Sequence, residues 1–321
     1  MAGRRLSFGP LAGALAAFIH FSTAAAASER PDPAAIAGAL RSVVSVLPQW
    51  AGRPPSLEEP EGSGVVVADG TLILTANHVL GDPRAVLVRT PAGDVLEAEV
   101  SKRDQATDLA LLVIKEKLPP LAFSGPVLVG EEVCALGNAF GLGLSVACGT
   151  VSATDRSGAG FNEIEDFIQT DAAVNPGMSG GALIAEDGRL AGILSAIFTK
   201  QSDANIGVNF AVSAALAEAA LTRLLSPGPV SWPRLGASLR PHPARGEPGL
   251  VGAEVVAVTR GSPAEAAGLA PGDIVVEAGG RRTDGEEDIA AALALTPAGR
   301  SLRLSVLRGE SRLALEVAVA E

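Results

Sequence analysis

The chain has no tyrosine, two cysteines and three histidines in 321 residues, and aromatic side chains make up only 3 % of it. So few aromatics exclude a core built on a handful of large anchors. With 47 % apolar residues, the interior has to be filled by Val, Leu, Ile and Ala, which favours many small β elements. Positive charge is also scarce: 25 Lys and Arg against 36 Asp and Glu leave a net charge of −11, which argues against nucleic acid as a partner. The apolar stretch near the N-terminus, from about Pro10 to Phe21, is a poor membrane span, because Pro10, His20, Ser22 and Thr23 lie in or beside it.

That stretch reads as an export leader. Arg4 and Arg5 form a basic start, the apolar stretch follows, and Ala24 to Ala27 supply a small-residue cleavage site, placed after Ala27. Removing residues 1–27 takes away two arginines and no acid, leaving a net charge of −13. A periplasmic protein is the expectation, with an uncleaved inner-membrane anchor as the alternative. Outside the cytosol the two cysteines acquire meaning. Cys134 and Cys148 flank a turn-rich stretch, and a hairpin centred near Gly141 would set them opposite one another. A disulfide and two unpaired buried thiols both remain open at this level.

Short strands dominate the rest. Val43–Val46 reads as a first strand, followed by a loop rich in Pro, Gly and Glu from Gly52 to Gly62. Val65–Ala68 and Leu72–Leu74 are joined by Asp69-Gly70, a strong hairpin turn. Further hairpins pair Val86–Val88 with Val95–Ala98 and Ala182–Ile184 with Leu190–Ile193. This spacing, with almost no helix, indicates an all-β barrel architecture. After Val212 the pattern changes: Ser213 caps a helix from Ala214 to Leu225, and Ser226-Pro227-Gly228-Pro229 ends it. The remainder suits a small module with two helices, one at Ser262-Pro263-Ala264 to Gly268 and one from about Glu286 to Leu295. Its last hairpin sets Leu302, Leu304 and Val306 against Leu313, Leu315 and Val317. The expected divisions are 1–27 leader, 28–48 N-terminal segment, 49–226 barrel domain, 227–233 linker and 234–321 terminal module.

Three sites carry chemistry. Ser179, in Asn175-Pro176-Gly177-Met178-Ser179-Gly180-Gly181, sits in a glycine-flanked turn that can expose a hydroxyl beside backbone N–H groups of Gly177 and Ser179, donors for an oxyanion. His78 is the one histidine within the β-rich region, since His20 lies in the leader and His242 in Pro241-His242-Pro243, read as a loop of the terminal module. Asp108, ahead of Leu109-Ala110-Leu111-Leu112, can orient that imidazole. Asp104 competes by proximity, but its neighbours Lys102 and Arg103 suggest a solvated loop residue. The order His, Asp, Ser is that of chymotrypsin-type proteases.

Thr75-Ala76-Asn77-His78-Val79, Thr107-Asp108-Leu109-Ala110-Leu111-Leu112 and Gln169 to Leu183 resemble the three catalytic stretches of the HtrA (high-temperature-requirement) family. Ala135-Leu136-Gly137-Asn138-Ala139-Phe140-Gly141 resembles its Gly-Asn-Pro-Phe-Gly stretch, and Ser262-Pro263-Ala264 through Pro271-Gly272-Asp273-Ile274-Val275 resembles a PDZ domain. The resemblance covers nearly everything after the leader. It implies a mainly β chain with a chymotrypsin-like double six-stranded β-barrel, one α+β PDZ domain, no cofactor or metal, and a homotrimer. By the same resemblance Ser179 is the nucleophile, His78 the base and Asp108 the orienting acid. Ala173 would floor the S1 pocket, Leu194, Ser195 and Ala196 would wall it, and an acid-free floor favours small aliphatic residues. Arg234, Leu235, Gly236 and Ala237 would form the loop that receives a peptide C-terminus. Met178, Ala139 and Leu194 depart from the family's usual Asn, Pro and Asn.

The expectation is an exported serine endopeptidase for unfolded or damaged envelope proteins, acting in protein quality control and stress response. A largely inactive barrel serving as a peptide-binding or chaperone protein is one alternative, with Met178 as its motive. A protease cutting one signalling substrate when its PDZ domain is occupied is another.

Overall fold

The computed structural model describes residues 30–50, 52, 62–197, 207–243 and 251–319. The expected leader, including His20, and most of the Gly52–Gly62 loop lie outside the described residues.

Asp32 caps a short helix, α1 (Pro33–Leu40), by accepting from the Ala35 N–H at 2.7 Å. Six strands then close a barrel: β1 (Val43–Trp50), β2 (Gly62–Val67), β3 (Leu72–Ala76), β4 (Pro83–Arg89), β5 (Val95–Asp104) and β6 (Leu109–Val113). They pair in the order β1-β2-β3-β6-β5-β4, with a one-turn helix, α2 (Asn77–Leu80), after β3. The expected boundary at residue 49 is wrong, because it divides β1, whose residues pair with β2 and β4 and so belong to the barrel.

A second closed barrel comprises β7 (Glu132–Gly137), β8 (Ser145–Arg156), β9 (Phe167–Thr170), β10 (Ala182–Ile184), β11 (Leu190–Ile197) and β12 (Asn209–Ser213), in the order β10-β11-β12-β9-β8-β7. The mainly β, double six-stranded architecture expected from the sequence is therefore present.

Apolar runs such as Val65-Val66-Val67 and Leu109-Ala110-Leu111-Leu112 lack alternation because both of their faces are covered. Val66, Ile73, Ala110 and Leu112 fill the first barrel, whereas Val65, Val67, Leu74, Leu109 and Leu111 face a shared core between the barrels. Leu136, Ala182, Ile184 and Ile193 approach that core from the second barrel. The helix α3 (Ala214–Leu225), capped by the Ser213 hydroxyl on the Leu216 N–H, closes it with Leu216, Ala217, Ala220, Leu221 and Leu224.

The terminal module is a sheet, β13 (Ala237–Pro243), β14 (Val251–Val258), β15 (Ile274–Ala278), β16 (Arg281–Arg282), β17 (Ser301–Arg308) and β18 (Ser311–Ala318), with helices α4 (Pro263–Ala266) and α5 (Glu286–Leu295). In its last hairpin Leu302 pairs with Val317, Leu304 with Leu315 and Val306 with Leu313, the register read from the alternation. Two expectations fail in detail. His242 lies within β13, paired to Glu254 at 2.8 Å, and not in a loop. Asp104 is buried, not solvated: it accepts from the Ala106 N–H, the Thr107 hydroxyl and, at 3.0 Å, the Trp232 indole N–H.

That last bond pins the expected linker to the first barrel, and Lys102 adds a 2.9 Å bond to the Gly228 carbonyl. The module also meets the second barrel through Arg281, which pairs with Asp166 at 2.6 Å and Asp155 at 3.0 Å.

Cys134 and Cys148 pair across β7 and β8 and form a disulfide. The bridge spans a sequence separation of 14 residues, and a loop of roughly that size contributes about 3 kcal/mol of stability. Thiol titration of the unfolded, non-reduced protein should find no free thiol, and Cys134→Ser with Cys148→Ser should lower stability in urea by about 3 kcal/mol. Two titratable thiols would remove the bridge.

Candidate active site

His78 stands in the first turn of α2, directly after β3 ends at Ala76, and Asp108 in the turn before β6, the strand paired to β3. Adjacent strands thus deliver the two residues side by side. Asp108 has a positive φ of 56°, a conformation that Asp tolerates better than most residues. From there it holds the α2 start at three points. Its carbonyl accepts the Asn77 N–H at 2.8 Å, Oδ1 accepts the His78 N–H at 2.9 Å, and Oδ2 lies 2.5 Å from His78 Nδ1. The carboxylate is mostly enclosed, with 15 % of the Asp108 side chain exposed against 51 % for His78. With Nδ1 bonded to the carboxylate, Nε2 is the nitrogen left for proton exchange.

Ser179 lies across the seam, in the turn leading to β10. Gly62 of β2 shows how near it is to α2: a Cβ added there would stand 2.6 Å from the Val79 side chain and 2.9 Å from the Ser179 carbonyl. At Gly180 (φ +82°) a Cβ would strike the Ser63 carbonyl, the Thr75 hydroxyl and, at 2.8 Å, the Ala76 nitrogen. Glycine is therefore required for the turn to dock on β2 and β3. The Ser179 hydroxyl donates to the Ser195 carbonyl at 3.3 Å.

Each peptide of the turn is fixed through its carbonyl. Pro176 O accepts the Phe140 N–H at 2.7 Å, Gly177 O accepts the Ser63 hydroxyl at 2.8 Å, and Met178 O accepts the Gly181 N–H at 2.9 Å. A planar trans peptide points its N–H opposite to its carbonyl. Fixing the Pro176 and Met178 carbonyls therefore aims the Gly177 and Ser179 N–H groups, and neither donates to any group among the described residues. Gly177 has φ +90°, and a Cβ there would press on the Asn138 carbonyl. Two unengaged donors beside a serine hydroxyl, if they point to one place, can stabilise an oxyanion on an acyl group attacked by that hydroxyl.

Met178 is buried in the second barrel's interior with Val133, Leu183 and Ala211. Apolar packing takes the place of the hydrogen bond that an Asn there would make. Among the expected pocket residues, Ala173 is exposed and Ser195 is buried with its carbonyl on Ser179. Leu194 does not wall a pocket: it is fully buried in the same barrel interior as Met178. The side chain of Ala196 lies outside the described residues. Sequence reading passed over Ser63 and Asn138, although a serine between Gly62 and Gly64, in an otherwise apolar strand, marks close backbone approach.

A second site lies in the terminal module. β13 pairs only with β14, so its other edge is open among the described strands, and α5 runs beside it. Between them lies a groove of about 500 Å³ whose apolar lining includes Leu235, Leu239, Ile289 and Leu293. Arg234, Leu235 and Gly236 lead into β13, which begins at Ala237. The N–H groups of Leu235 and Gly236 donate to nothing among the described residues, while the Arg234 side chain pairs with Glu163 at 3.3 Å.

Residues 62–193 match the trypsin-like peptidase domain family and residues 254–308 match the PDZ domain family. A probable periplasmic serine endoprotease, DegP-like, of Chlamydia pneumoniae is 35 % identical over 283 residues, covering 86 % of this chain and 58 % of that protein. The DegP-like protein of Rhizobium meliloti (strain 1021) is 35 % identical over 257 residues, covering 77 % and 51 %. The chain thus spans little more than half the length of these curated relatives. Among solved structures, the HtrA-type protease AlgW with tripeptide is similar with a TM-score of 0.70 and 32 % identity, over 89 % of this chain and 95 % of that one. The serine endoprotease from Yersinia pestis is similar with a TM-score of 0.59 and 30 % identity, over 89 % and 96 %.

Replacing Asp108 by Asn should keep the hydrogen bond to the His78 ring but hold the wrong tautomer. Hydrolysis of a reporter peptide should then slow by about 10⁴-fold with the fold intact. A rate within about tenfold of the parent, in a variant with the parent's melting temperature, would remove Asp108 from the reaction.

Proposed function

This chain belongs to the HtrA-type serine proteases, and on that premise we propose that it is an exported serine endopeptidase hydrolysing unfolded or damaged envelope proteins. The observation that carries the reading is the Asp108–His78 contact beside a turn whose Gly177 and Ser179 N–H groups are unengaged. In the proposed reaction His78 Nε2 accepts the Ser179 proton as Oγ attacks the scissile carbonyl, Asp108 holds the imidazolium, and the two N–H groups receive the oxyanion. His78 then returns the proton to the leaving amine, and water repeats the sequence on the acyl-enzyme. Met178 does not favour an inactive barrel, since its burial anchors the turn.

Ala173 places no acid at the proposed S1 floor, so cleavage is expected after Val, Ala, Leu or Ile. At the terminal module, an extended peptide would add to β13, its carboxylate on the Leu235 and Gly236 N–H groups and its last side chain among Leu235, Ile289 and Leu293. A homotrimer fits exposed apolar surface at Phe140 and Leu142, which are 61 % and 87 % accessible in the single chain. Periplasmic location rests on the leader read from the sequence and on the names of the relatives. Among the described residues no helix is long and apolar enough to cross a membrane.

The regulated reading draws on one observation: the peptide groove is lined in part by Glu163 and Ile164, from the segment between β8 and β9, and Arg281 grips the end of β8 at Asp155 and the end of that segment at Asp166. Occupancy of the groove would then be felt in the barrel carrying Ser179.

Casein hydrolysis should fall by about 10⁶-fold in Ser179→Ala, and equal activity in the two proteins would refute the reading. Adding a peptide with a hydrophobic C-terminus tests regulation: a raised rate supports it, and an unchanged rate at saturating peptide counts against it.

A further inference from the structure

Ser63 belongs to the first barrel, yet its side chain contacts the turn that the second barrel supplies. It is completely buried on β2, and all of its polar atoms are engaged. Its N–H donates to the Ser179 carbonyl at 2.8 Å, and its carbonyl accepts the Thr75 hydroxyl at 2.7 Å. Its hydroxyl donates to Gly177 O at 2.8 Å and accepts the Asn138 N–H at 2.9 Å. Asn138 is itself buried, with its amide on the Ser45 hydroxyl at 2.8 Å and its Oδ1 accepting the Gly143 N–H at 2.8 Å.

The middle peptide of the turn, between Gly177 and Met178, joins the two candidate oxyanion donors. Its carbonyl is held by the Ser63 hydroxyl. Its N–H donates to the Asn175 carbonyl at 3.0 Å, and because a glycine at φ +90° offers little intrinsic resistance to rotation, the direction of that peptide depends on these two holds, of which only Ser63 comes from the other barrel. A buried serine that served only packing would need no partner on this turn. Here the one hydroxyl bonds both the turn and the Asn138 backbone beside it.

Resting on the endopeptidase reading, we infer that Ser63 is a positioning residue: its hydroxyl, together with the Asn175 carbonyl, sets the Gly177–Met178 peptide that links the two donor peptides, and so helps keep both N–H donors aimed at the oxyanion. It touches no substrate. Its effect falls on the transition state, where the oxyanion exists, and not on substrate binding.

Ser63→Ala tests this. kcat should drop by about 10- to 100-fold, less than the 10²–10³ typical of deleting a donor outright, with KM within about twofold. Affinity for a peptidyl trifluoromethyl ketone, whose adduct with Ser179 carries an oxyanion, should fall by the same factor as kcat. A folded variant with kcat within about twofold of the parent overturns the inference. So does a fallen kcat with unchanged affinity for the ketone. Should Ser63→Ala fail to fold, Ser63→Cys keeps the shape with a weak donor and is judged by the same two criteria. Parent activity that survives Ser179→Ala overturns the protease reading and this inference together, whereas an active parent, a dead Ser179→Ala and an unaffected Ser63→Ala overturn the inference alone.

Discussion

A backbone hydrogen bond from the Ser63 N–H to the Ser179 carbonyl joins the two barrels at the point where chemistry is proposed. Each barrel closes on itself, so nothing in either sheet obliges the His78 helix and the Ser179 turn to meet. What brings them together is the shared apolar core with its polar seam, and the seam tolerates no Cβ at Gly62, Gly177 or Gly180. Once the backbones are that close, the carbonyls of the turn find partners in β2 and in the residues after β7. The Gly177 and Ser179 N–H groups are left without an acceptor among the described residues. In this fold the site's electrostatics are a by-product of how tightly the barrels pack.

The terminal module is held by apolar and charged contacts together: Ala294 of α5 joins the apolar core that α3 closes, and Arg281 pairs with Asp155 and the buried Asp166 of the second barrel. Asp166 also accepts the Ser213 hydroxyl that caps α3, so one carboxylate serves the module contact and the helix start together. The junction residues 226–232 are tied down by Lys102 and Asp104 and are not a free tether.

Much of this was legible in the sequence because the determinants are local. Asp69-Gly70 dictates its hairpin, Ser213 its helix start, and the alternation from Leu302 to Val317 fixes a register that the structure reproduces residue for residue. The opposition of Cys134 and Cys148 follows from a turn near Gly141. His78, Asp108 and Ser179 were legible as candidates through their flanking motifs. What stayed hidden depends on contacts between distant segments. Asp104 looked solvated beside Lys102 and Arg103, but an indole 128 residues further on buries it. Leu194 looked like a pocket wall, but strand phase turns it inward. The first strand read as ending at Val46, yet pairing with β4 extends it to Trp50. Ser63 shows in sequence only as a small residue between glycines, and its importance depends on a turn more than a hundred residues away.

Main-chain pairing along the open edge of β13 would be blind to side-chain identity, because amides and carbonyls are common to every extended chain. The unengaged N–H groups just ahead of that strand would, in the proposed role, take something rarer, a terminal carboxylate. A groove built this way would sort its visitors first by whether their chain stops there, and only afterwards by the residue it stops on. Such a filter would respond to whether a chain end can enter the groove more than to any consensus word.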